Sequence, residues 1–81
     1  MGDIEVMTSK ICKLIDDWEF QKSELGGSYK TACDLQMQLT MLKLLLGVEK
    51  FDELPAFSRY MRETTKFINN EDKMKEKKDE V

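Results

Sequence analysis

The stretch YKTACDLQMQLTMLKLLLGV, residues 29–48, decides the fold. Within it Ala32, Leu35, Leu39, Leu42 and Leu46 step by three and four, the heptad seam of an α-helix. A second apolar set, Cys33, Met37, Met41, Leu44, Leu45 and Val48, is offset by two residues. At about 100° per residue its centre falls roughly 160° around the helix from the seam. The strips between the two sets are polar, with Gln36, Thr40 and Lys43 on one side and Thr31, Gln38 and Glu49 on the other. A helix with two nearly opposed apolar faces has to be covered twice. Residues 29–46 therefore read as the middle helix of a three-helix, all-α antiparallel arrangement.

Working outward, Gly26-Gly27 ends a preceding helix and Ser28 caps the middle one. That first helix spans about residues 3–25, with Asp3 at its start. Ile4, Met7, Ile11, Leu14, Ile15, Trp18 and Leu25 form a single stripe along it. On the other side, Gly47 closes the middle helix. Asp52 to Pro55 then begin a third helix, over about 53–69, because proline in a first turn forfeits no hydrogen bond. Its stripe is Phe57, Tyr60, Met61, Thr64, Phe67 and Ile68. Residues 70–81 are charged, with Met74 and Val81 as their apolar side chains. Too little apolar surface is present there to offset ordering entropy, so the segment reads as a frayed or disordered tail on a single helical domain, residues 1–69.

Register sharpens the arrangement. In an antiparallel hairpin about Gly26-Gly27, Met7 faces Leu46, Ile11 faces Leu42, Leu14 faces Leu39 and Trp18 faces Leu35. The same exercise about the second turn sets Phe57 against Leu45, Met61 against Met41 and Thr65 against Met37. The third helix is thereby expected on the second apolar face, in a flat layer with the middle helix at its centre. Flat layers leave wet edges, and a homodimer is the expected remedy. The same register offsets Cys12 from Cys33 by roughly 12 Å axially, which speaks against an intrachain disulfide.

The composition narrows the chemistry. The 81 residues carry 13 Lys+Arg, 16 Asp+Glu and no His, for a formal charge of −3. Without His the commonest general base and the commonest metal ligand are both missing. Two cysteines complete neither a zinc site nor a disulfide framework. Asp16, Asp17 and Glu19 diverge around the first helix, and Gly26-Gly27-Ser28-Tyr29-Lys30-Thr31 lacks the glycine spacing and preceding strand of a phosphate loop. No enzyme activity, small-molecule substrate, metal or cofactor is expected. The most apolar window, Leu39 to Val48, is interrupted by Lys43 and is about half the length of a membrane span. Residues Met1 to Glu5 lack the basic start of a secretory signal, so a cytoplasmic protein without membrane attachment is expected.

What remains is binding. The sequence points to a small non-catalytic protein-interaction module, an adaptor, inhibitor or assembly and regulatory factor, that self-associates and binds a larger protein. The surface expected to do this comprises Met37, Met41, Leu44, Leu45 and Val48, joined by Phe20 on the back of the first helix and Tyr29 past the turn. The alternative is a nucleic-acid-binding regulator using Arg59, Arg62 and Lys66 on the outer face of the third helix, where neighbouring acids dilute the charge.

Overall fold

A computed structural model describes residues 2–80, and their side chains through residue 74. The described chain is 92% helical, and no strand occurs among the described residues. It forms four helices: α1 (Gly2–Leu25), α2 (Tyr29–Leu46), α3 (Val48–Asp52) and α4 (Pro55–Glu80). The turn chemistry follows the sequence. Ser28 caps α2 by accepting a hydrogen bond from the Thr31 N–H at 3.3 Å, and the Gly47 N–H closes it onto the Lys43 carbonyl at 2.8 Å. Pro55 is the first residue of α4.

Two boundaries differ from expectation. The third long helix begins at Pro55, preceded by the single-turn helix α3. That extra turn, held by the Phe51 N–H on the Gly47 carbonyl at 3.0 Å, lowers the Phe51 ring into the core. At the other end α4 does not stop at Asn69 but stays helical through Asn69-Asn70 to Glu80. Val81, the last residue of the expected tail, lies outside the described residues.

The core is the heptad seam and what covers it. Ala32, Leu35, Leu39 and Leu42 of α2 are fully buried with Ile11 and Trp18 of α1 and Phe51 of α3. Met7, Leu14 and Ile15 of α1 and Phe57, Tyr60, Met61, Phe67 and Ile68 of α4 pack half-buried around them. Thr64 is the buried polar side chain, satisfied by donating to the carbonyls of Tyr60 at 2.8 Å and Met61 at 3.1 Å.

The placement of α4 corrects the flat layer. Its register on α2 is within one residue of the expected one, as shown by Gln36 Nε2 donating to Thr65 Oγ1 and Tyr29 Oη donating to Asp72 Oδ1 at 3.2 Å. Its face is not the expected one. It meets α2 along the Gln36 strip, and its side chains reach across to α1. The Trp18 and Phe67 rings stand edge-to-face at 5.0 Å, and Lys22 pairs with Glu63 at 2.8 Å. α2 thus stays the middle helix, packed against α1 and α4, while α1 and α4 meet through these side chains on one side of the seam. That geometry shields Leu35, Leu39 and Leu42 from two sides at once, whereas a flat layer leaves the edges of both contacts in water. The second apolar face of α2 is left uncovered.

The division between the faces is measurable. Leu39→Ala is expected to cost about 2–5 kcal/mol and Leu44→Ala less than about 0.5 kcal/mol, read from urea unfolding at submicromolar concentration. Equal costs would contradict the burial pattern.

Candidate functional site

Met37, Met41, Leu44 and Leu45 of α2 and Val48 at the start of α3 form one exposed apolar stripe, with Leu44 80% exposed. The helix makes the stripe because these positions recur at three- and four-residue intervals. The arrangement leaves it free because α1 and α4 both pack toward the seam. Beside it, between α1 and α2, runs an open groove of about 330 Å³ whose lining includes Lys10, Lys13 and Asp17 of α1 and Asp34 and Met37 of α2. The groove extends the stripe toward α1, and its bases and acids are equal in number.

The other expected contact residues lie elsewhere. Phe20 is exposed on α1, outside the lining of that groove. Tyr29, at the first position of α2, is tied to Asp72 of α4, and this hydrogen bond raises its hydroxyl above the ordinary tyrosine value. The seven residues therefore occupy three places, five of them contiguous. The basic set of the alternative reading does share one face. Arg59, Arg62 and Lys66 are all exposed on α4, but the Arg59 Nε is held by Glu63 Oε2 at 2.8 Å.

That pairing belongs to a polar clasp between α1 and α4. Glu63 accepts from Lys22 on one oxygen and from Arg59 on the other, and Lys22 lies 3.5 Å from Glu19. The Lys22 ammonium also sits 5.6 Å over the Trp18 ring. The hydrogen bond from Lys22 holds the Glu63 carboxyl below its ordinary value of 4.5, with Arg59 adding to it against the opposing effect of burial. The bond to Glu63 raises Lys22 in turn. Arg59 and Glu63 sit four apart on one helix, a spacing visible in the sequence. The Lys22 link was not visible, since it depends on which way α4 turns.

A depressed carboxyl contributes stability above its unfolded pKa and loses it as pH falls through the folded value. The wild type is therefore expected to lose stability below about pH 4.5, and Glu63→Gln to flatten that part of the acid branch. Parallel acid melting curves for the two proteins check this. Identical slopes would remove Glu63 from the acid response.

Cys12 is exposed, Cys33 is half-buried, and both are free thiols. Among the described residues no group of three His, Cys, Asp or Glu could hold a metal ion, and no helix is long and apolar enough to cross a membrane. Comparison with known proteins found no matching family model, no matching curated relative and no matching solved structure.

Proposed function

We propose that the chain is a small non-catalytic protein-interaction module of the cytoplasm, which self-associates and binds a larger protein as an adaptor, inhibitor or assembly factor. The observation that supports it is the uncovered stripe from Met37 to Val48. Single exposed apolar side chains are ordinary, but four on one face of α2, followed by Val48 at the start of α3, are the kind of patch that marks an interface. Leucine and flexible methionine side chains suit a surface that adapts to a partner helix. The absence of His from the sequence favours binding over catalysis.

Affinity capture from the native host, run in parallel with wild type and Leu44→Glu, tests the reading. Proteins retained by the wild type and lost with the variant are expected. Capture of the same set by both would sink it.

The exposed Arg59, Arg62 and Lys66 support the alternative, a nucleic-acid contact on α4. It requires salt-sensitive binding to nucleic-acid probes that is abolished when all three charges are reversed.

A further inference from the structure

We infer that the outer face of α4 receives an acidic segment of the partner protein, whose carboxylates seat along Arg59, Arg62, Lys66 and Lys73. The inference rests on the proposed reading of the chain as a protein-binding module and names the chemistry of what it binds.

The row follows from helix geometry. Arg59, Arg62, Lys66, Asn69 and Lys73 step by three, four, three and four, and all five are exposed. At about 100° per residue their line is centred roughly 180° around α4 from the fully buried Thr64. From Arg59 to Lys73 it runs about 21 Å at 1.5 Å per residue.

Neighbouring acids dilute these charges in the sequence, and the fold turns those acids away. Among its described side chains α4 carries three, Glu63, Glu71 and Asp72. Glu63 points to α1, where Lys22 holds it at 2.8 Å, and Glu71 is half-buried. Asp72 points to α2 and accepts from Tyr29 Oη at 3.2 Å. None of the three lies on the row. Arg59 gives its Nε to Glu63, while Arg62, Lys66 and Lys73 make no ion pair among the described residues. Beside Arg62, Lys43 of α2 and Ser58 line a shared pocket of about 340 Å³, which adds a fifth cation at that end.

The extent of the row selects the anion. Asp52 lines the same pocket, and with Glu53 it stands exposed just before α4, closing the row on that side. Of the 13 Lys+Arg in the chain four are on the row, which leaves nine against 16 Asp+Glu elsewhere, so the positive field is local. A nucleic-acid duplex carries one charge about every 1.7 Å along its axis and continues past both ends of so short a row, over the acidic remainder. A short acidic segment ends where the row ends. An anionic bilayer takes up helices that bury apolar side chains beside their cations, and the row has none. Carboxylates at the same three- and four-residue spacing on a partner helix meet the cations one for one.

Fluorescence anisotropy of a labelled oligoglutamate peptide, titrated with the full chain, tests the inference, with a labelled DNA duplex as the competing probe. Peptide binding is expected to weaken with rising salt, and at least about tenfold in the double variant Arg62→Glu/Lys66→Glu. Both positions are exposed, so the double variant is expected to keep the helical signal and melting midpoint of the wild type. Arg62→Lys and Leu44→Glu are each expected to bind the peptide as the wild type does.

No peptide binding by the wild type, or equal binding by the double variant, overturns the inference. Tighter binding of the duplex than of the peptide at equal salt overturns the choice of an acidic protein in favour of the nucleic-acid contact. Host capture separates these failures from failure of the proposed reading. Proteins lost with Leu44→Glu but kept by the double variant overturn the inference and leave the reading standing, whereas proteins kept by both variants overturn both.

Discussion

Trp18→Ala is expected to remove about 3–5 kcal/mol, a large part of the total stability of a domain this size. Trp18 is the largest of the fully buried side chains and links α1 to both α2 and α4. It lies in the core with Leu35 and Ala32 of α2, stands edge-to-face on Phe67 of α4, and has Lys22 over its ring. Truncation to alanine therefore loses the transfer energy of the indole and also opens a cavity that three helices would have to move to fill. The same substitution strands Phe67 and weakens the seating of the Lys22 to Glu63 pair. Trp18→Phe separates area from polarity. The indole Nε1 is buried without a hydrogen-bond partner, so phenylalanine gives up ring area without giving up a bond. It is expected to cost about 1–2 kcal/mol, well under half the alanine value. Urea midpoints of the three proteins check both figures, and a phenylalanine variant as unstable as the alanine variant would mean that the Nε1 has a partner after all.

Trp18 also shows what the sequence made legible. Its stripe, the α2 seam, the Ser28 cap and the Pro55 start are all local patterns, and each appears in the structure where the pattern places it, except that Ile4 and Leu25 at the two ends of the stripe are exposed. The α2 to α4 register was legible to within one residue because a short connection leaves little axial freedom. The side on which α4 packs was not. Two apolar faces of α2 compete for it, and the choice depends on whether α4 can also reach α1. That is a contact between residues more than forty positions apart, such as Lys22 with Glu63, to which neither the periodicity of α2 nor that of α4 refers. Met37, Met41 and Leu45 were expected to meet the third helix, and with Leu44 they remain 45–80% exposed. Phe20 and Tyr29 carried only an aromatic signal, and aromatic character alone does not say where a side chain will sit. For Tyr29 a partner is Asp72, in a segment whose composition suggested a frayed or disordered tail.

The turn between α1 and α2 carries the second large effect. Gly27 has φ +120°, a region that L side chains rarely adopt, and a Cβ built on it would stand 2.7 Å from Phe67 Cε1 and 3.0 Å from Cζ. Gly26 has φ +82° with nothing within 4 Å of the added atom. Both glycines look alike in the sequence, and each suits the end of α1. Their substitutions should not behave alike. Gly26→Ala meets only the left-handed backbone cost, about 1 kcal/mol. Gly27→Ala adds to a backbone strain of about 1–3 kcal/mol the displacement of a ring that is itself packed on Trp18. A total of about 2–4 kcal/mol is expected, with thermal melting showing Gly27→Ala well below Gly26→Ala. Because the excess arises from a specific pair of atoms, shortening the neighbour should return part of it. Gly27→Ala combined with Phe67→Leu is expected to be more stable than the sum of the two single losses predicts, with a coupling of about 0.5–1 kcal/mol. Strict additivity would show that the methyl and the ring do not meet, and that the Phe67 ring does not cover the hairpin turn.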